Sequence, residues 1–151
     1  MNQFRLYGSQ LTKALQRRLK EHFVTVCAVN QLELKDHGIY VVNTDCFEGC
    51  HWILIFVTEK TVEVFDSFGR HPKYLQNGHL FMKVINATDK KLIVTSKRLQ
   101  HNSSHVCGWY CLAYAFVRVK TNSIQSFYTM FKSDLLWNDK FVIFIVKTLF
   151  Q

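Results

Sequence analysis

HWILIFVTEKTVEVFDSFG, residues 51–69, decides the reading of this chain. Trp52 to Thr58 and Thr61 to Phe65 are short runs rich in β-branched and aromatic residues. The pair Glu59-Lys60 between them reads as a tight hairpin connection, and Ser67-Phe68-Gly69 ends the second arm. Two further runs, Ile39 to Val42 and Leu92 to Thr95, have the same character.

Helical patterns flank these strands. In residues 10–22, Leu11, Ala14, Leu15 and Leu19 share one face while Arg17, Arg18 and Lys20 lie elsewhere, which predicts an amphipathic helix. Residues 73–86 predict a helix interrupted by Asn77-Gly78. CGWYCLAYAFV, 107–117, is apolar all around and follows the capping candidates Asn102, Ser103 and Ser104, as a helix buried at the centre of the domain would be. A helix is expected near 123–132. Residues 134–149 stay open between helix and strand, because Val142 to Val146 are largely β-branched. Helix, strands, central helix, helices is the order of an α+β domain: a small mixed β-sheet packed against a central buried helix and flanking helices. A chain of 151 residues without a linker reads as one domain over 1–151.

Composition narrows the classes. Hydrophobic residues make up 48% and charged ones 20%, with a single proline, so disorder is excluded as the ground state. The longest apolar runs, such as Phe141 to Val146, fall far short of the roughly 20 residues a membrane span needs. MNQFRLYGSQL does not have the architecture of a signal peptide, so the expectation is a soluble protein that is not secreted. Five cysteines (27, 46, 50, 107 and 111) cannot all pair within one chain, which favours reduced thiols. A net charge of +8 favours polyanionic partners, nucleic acid above all, or serves solubility alone.

Four polar residues sit beside strand or helix ends, where a scaffold presents side chains: His51, Asp66, Gln100 and Cys107. Thiol catalysis needs a thiolate. A helix N-terminus and an adjacent imidazolium lower a cysteine pKa from about 8.5 to roughly 3.5–7.5, and Cys107 opens the buried helix. A histidine must pair with the thiol and a carboxylate must hold the imidazole. In a 51–58/61–66 hairpin, the start of one arm lies beside the end of the other, placing His51 near Asp66. An oxyanion hole needs donors, which the Gln100 amide and the Cys107 backbone N–H supply, while Gly108 leaves the helix start open to a substrate backbone. Each residue alone has a plainer reading: a structural histidine, a turn aspartate, a surface amide, a packed cysteine.

The chain order His, Asp, Gln, Cys resembles that of the adenovirus proteinase (adenain) family, related more distantly to the SUMO- and ubiquitin-like-protein proteases. The local wording is similar too: VVNT at 41–44, GCHW at 49–52, VFDSFG at 64–69, and a Gln100-to-Cys107 interval of seven positions in LQHNSSHVCGWYCL. The resemblance covers roughly residues 38–117. It implies Cys107 as nucleophile, His51 as general base, Asp66 as orienting carboxylate and Gln100 as oxyanion donor. Trp52, Asn43 and Gly108 would contact substrate, with Trp52 walling a narrow channel that admits small residues, Gly-Gly or Gly-X, before the cut. It further implies processing of viral or virus-like-element precursor proteins in a virion, nucleus or cytoplasm, by a monomer needing no cofactor or metal, with stimulation by DNA or a peptide activator. The chain departs from the adenovirus enzyme at Asp89, where that enzyme has the cysteine that joins its activating peptide.

Three rival readings follow from the same residues. Removal of ubiquitin-like modifiers would use the same site. A zinc module would draw on Cys46, Cys50 and His51 with His105, Cys107 and Cys111, although C-x3-C-H and H-x-C-x3-C are not standard knuckle spacings. A non-catalytic nucleic-acid-binding module would use Lys90, Lys91, Lys97 and Arg98 together with Arg17, Arg18 and Lys20.

Overall fold

The computed structural model describes residues 4–45 and 51–150. Among them the elements run α1 (Gly8–Arg18), β1 (Phe23–Ala28), a 3-10 turn (Val29–Gln31), β2 (Gly38–Asn43), β3 (Trp52–Val57), β4 (Thr61–Phe65), a 3-10 turn (Pro72–Tyr74), α2 (Gly78–Asn86), β5 (Lys91–Val94), α3 (Cys107–Thr121), α4 (Ile124–Tyr128) and α5 (Leu135–Leu149). The strands form one sheet in the order β1-β2-β3-β4-β5. Its two outer pairings, β1 with β2 and β4 with β5, are parallel, and its two inner ones are antiparallel. The fold is α+β.

Both faces of the sheet are covered, which is why the central strands read as continuous apolar runs. Ile39, Val41, Leu54 and Phe65 pack on one face with α1, α3, α4 and α5. Tyr40, Val42, Ile53, Ile55, Val62 and Val64 pack on the other with Leu75 and with Phe81 and Ile85 of α2. The hairpin turns at Thr58–Thr61, where Thr58 N donates to Thr61 O at 2.9 Å. Its register sets Leu54 opposite Phe65 and Val57 opposite Val62.

Four local expectations change. The helix predicted over 10–22 ends at Arg18, and Phe23–Ala28 forms an edge strand that the pattern did not announce. Its six residues are all half-buried, so they carry no in-out alternation to read. Asn77-Gly78 does not interrupt a helix but starts one. Asn77 caps α2 with φ 59°, and a Cβ on Gly78 would come within 2.4 Å of Lys73 O, so the close approach requires glycine. The helix near 123–132 is confined to α4, Ile124–Tyr128. Residues 135–149 are helical despite their β-branched run. The Asp134 side chain caps the helix by accepting from Trp137 N, and Val142 and Val146 bury against α3.

A glutamate is buried on a helix-covered face of the sheet. Glu63, on the α3 face of β4, is 1% exposed. It accepts from Tyr114 Oη and from Arg118, whose Nε lies 3.1 Å from Oε2 and Nη2 3.1 Å from Oε1. Leaving such a carboxylate without its partner costs about 3–5 kcal/mol. Arg118→Ala is therefore expected to lower unfolding stability by about 3 kcal/mol, read as the midpoint of urea denaturation; a midpoint equal to wild type would contradict the buried pair.

Candidate active site

The β3–β4 hairpin and the start of α3 bring the chemistry together. His51 immediately precedes β3 and Asp66 immediately follows β4. Carrying the hairpin register three residues outward sets Phe68 opposite His51, and their rings lie 5.2 Å apart. His51 Nε2 is 2.5 Å from Asp66 Oδ1. Asp66 is fully buried, and its oxygens also accept from Phe68 N at 3.3 Å, Arg70 N at 3.1 Å and Arg70 Nε at 2.8 Å. The turn that follows needs Gly69, which has φ +73°: a Cβ there would come within 2.7 Å of Ser96 O.

That close approach ties the turn to the segment before α3. Ser67 O accepts from Leu99 N at 2.9 Å and Gln100 N at 3.1 Å. The Ser67 hydroxyl donates to Gln100 Oε1 at 2.6 Å. With its oxygen held, the Gln100 amide nitrogen points along the loop and donates to Ser104 O and Ser104 Oγ, each at 3.0 Å. Behind the loop, Asn138 Nδ2 and Tyr110 Oη both donate to Leu99 O at 3.1 Å.

Cys107 is the first residue of α3 and 8% exposed. Its Sγ accepts from Trp52 N at 3.4 Å and hydrogen-bonds with the His51 imidazole and Gly108 N–H. Burial works to raise the thiol pKa, but His51, by hydrogen bond and by charge, and the two backbone N–H groups outweigh it and set Cys107 below the ordinary cysteine value. Burial likewise opposes the imidazolium, and the bonds and charges of Asp66 and Cys107 lift His51 to about 9. Asp66 is held at about 2 against its burial, by His51 first and Arg70 second. One turn further along α3, Cys111 goes the other way: burial pushes its thiol well above the usual value. The polarised thiol is thus a property of one position, not of the helix.

His51, Trp52, Gln100 and Cys107 line one cleft of about 280 Å³. Trp52 is fixed there by its indole N–H, which donates to Leu6 O at 3.1 Å. The other two residues expected at the substrate, Asn43 and Gly108, are not among those lining the cleft. Gly108 faces inward, where a Cβ would meet Leu6 Cβ at 3.1 Å, so its smallness serves packing of the N-terminal segment. Asn43 is buried at the end of β2 and accepts from Asp45 N at 2.9 Å. Its Nδ2 has no hydrogen-bond partner among the described residues.

Four residues that the sequence reading passed over shape the site: Ser67, Phe68, Arg70 and Ser104. Arg70 alone had a legible signal, a cation four positions beyond Asp66 in the same turn. Cys46 and Cys50 lie outside the described residues. Among the described residues no group of three or more His, Cys, Asp or Glu side chains could hold a metal ion, and no helix is long and apolar enough to cross a membrane. Compared with models of known protein families and with curated proteins, the chain matches none.

Proposed function

We propose that the chain is a cysteine endopeptidase of the adenain type, acting on precursor proteins at small residues. The observation that carries this reading is the continuous line Cys107–His51–Asp66. In it a thiol at a helix start, an imidazole and a fully buried carboxylate are joined by hydrogen bonds at the floor of a cleft.

The residues support each step. The Cys107 thiolate attacks the scissile carbonyl carbon, forming a C–S bond as the carbonyl electron pair moves onto oxygen. The Cys107 backbone N–H, which at the first helical position has no intrahelical partner, and the Gln100 amide receive that oxyanion. Ser67 aims the amide by holding its oxygen, and the oxyanion takes the place of Ser104 Oγ as its acceptor. The His51 imidazolium gives its proton to the leaving amine and the C–N bond breaks. Water then attacks the thioester, losing a proton to His51, and the acid leaves as the thiolate is restored. Asp66 keeps the imidazole oriented throughout.

The charge state gives a direct test. Because His51 favours the thiolate, alkylation of Cys107 by iodoacetamide is expected to reach half its plateau rate well below the ordinary cysteine value of about 8.5. In His51→Ala only the Trp52 and Gly108 N–H groups are left to offset the burial of the thiol, so the midpoint moves up. Residue-resolved mass spectrometry across pH reads both. Equal midpoints in the two proteins would remove His51 from the pair and with it the proposed mechanism.

A further inference from the structure

The cleft in front of Cys107 carries cations that the proposed chemistry does not use. Arg5 lines it from the N-terminal segment and Arg70 from the turn after Asp66. The segment holding Arg5 is built into the site: Trp109 Nε1 donates to Phe4 O, Trp52 Nε1 donates to Leu6 O, and Leu6 packs over Gly108. Arg5 Nη2 donates to His105 Nδ1 at 3.0 Å, which leaves most of the five N–H donors of the guanidinium for another acceptor. Arg70 differs, since its Nε is already spent on Asp66. No acidic side chain lies among the described residues lining the cleft. Asp66, which Arg70 contacts, is fully buried with both oxygens committed.

A guanidinium lining the same cleft as a nucleophile, with no acid among the described lining residues, is an arrangement for a carboxylate. We propose that Arg5 is a specificity-determining residue, binding an aspartate or glutamate side chain that flanks the small residues at the cut. This rests on the thiol-protease reading and adds the substrate class: acidic protein segments. His105 holds the guanidinium in place through the bond it accepts.

Two small alkylating agents separate this proposal from the reading beneath it. Iodoacetate carries the carboxylate and iodoacetamide does not, while both report the same Cys107 thiolate. The ratio of their rates at Cys107 is to be measured in wild type, Arg5→Gln, Arg5→Glu and Arg5→Lys. Because the His51 imidazolium also attracts iodoacetate, the comparison among variants decides. At about 0.02 M salt the ratio is expected to fall about fivefold in Arg5→Gln and further in Arg5→Glu, to stay within about twofold of wild type in Arg5→Lys, and to converge among all four at about 0.5 M. In peptides cut by the protein, the kcat/KM preference for Asp or Glu over Gln beside the cut falls in parallel. An unchanged ratio in Arg5→Gln overturns the proposal and leaves the protease reading standing. Equal loss in Arg5→Lys and Arg5→Gln also overturns it, since that marks a disturbed segment rather than a lost charge. Failure of both reagents to label wild-type Cys107 faster than Cys27, whose thiol burial pushes up to about 11, would fell the protease reading and this proposal together.

Discussion

Cys107→Ala is expected to abolish peptide cleavage, a loss on the order of 10⁶-fold, the size that follows removal of a nucleophile acting as one unit with its base. Among the described residues lining the cleft, no other thiol is present. Cys111, one turn along α3, is fully buried, and its thiol is pushed well above the usual value. Its variant is therefore the control: Cys111→Ala should keep cleavage within a few-fold of wild type, while its core cavity costs about 1 kcal/mol of stability. The fold itself should tolerate Cys107→Ala, because one small side chain is shortened at a position next to the cleft. The comparison is read on a library of peptides with small residues before the cut, alongside urea midpoints. Cleavage by Cys107→Ala at a rate near wild type would end the assignment, and bulky residues accepted before the cut would end the proposed preference for small ones.

The parts of this molecule legible in the sequence share a physical origin. β3 and α3 announce themselves because burial on both faces leaves little room for polar positions: Trp52 to Val57 and Cys107 to Val117 are apolar whichever way they turn. His51, Asp66 and Cys107 are legible for the complementary reason. Each interrupts such a run at its end, and hairpin pairing makes two such ends neighbours.

What stayed illegible depends on contacts distant in sequence. Edge strand β1 is half-buried throughout and has no pattern to read. The ambiguity over 134–149 was resolved by the Asp134 cap and by packing on α3, which outweigh the modest helix preference of valine and isoleucine. The orientation of Gln100 is set by Ser67, 33 residues away, and no local rule couples the two. Gly108 shows the converse: a glycine beside Cys107 suggests open space in the sequence, yet Leu6, about a hundred residues earlier, packs against it.

Asp66→Asn is the sharpest probe of that long-range assembly, because Asp66 would serve the proposed catalysis and the fold at once. Asparagine keeps the shape but loses the charge facing both the His51 imidazolium and Arg70, and its amide can turn a donor toward either. Cleavage should fall about 10³–10⁴-fold, as expected when a triad carboxylate can no longer hold the imidazole in the right tautomer. Stability should fall as well, with a definite pH signature. The folded protein holds Asp66 at about 2, below the unfolded value of about 3.9, so its stabilisation is present above pH 4 and is lost as pH falls toward 2. At 1.36 kcal/mol per pKa unit this is on the order of 2–3 kcal/mol at neutral pH. His51 acts with the opposite sign. Raised to about 9, it stabilises fully below about 6.5, and that contribution is lost as pH rises through 9. Without the Asp66 charge the imidazolium loses its main support, so the variant should show a weaker decline of stability between pH 7 and 9. Urea denaturation of both proteins from pH 2 to 9 should therefore give curves well separated between pH 5 and 7, converging toward pH 2 and drawing closer again toward 9. Curves separated by a constant amount at every pH would show that the carboxylate contributes shape alone, and the buried His51–Asp66 ion pair would then have to be abandoned.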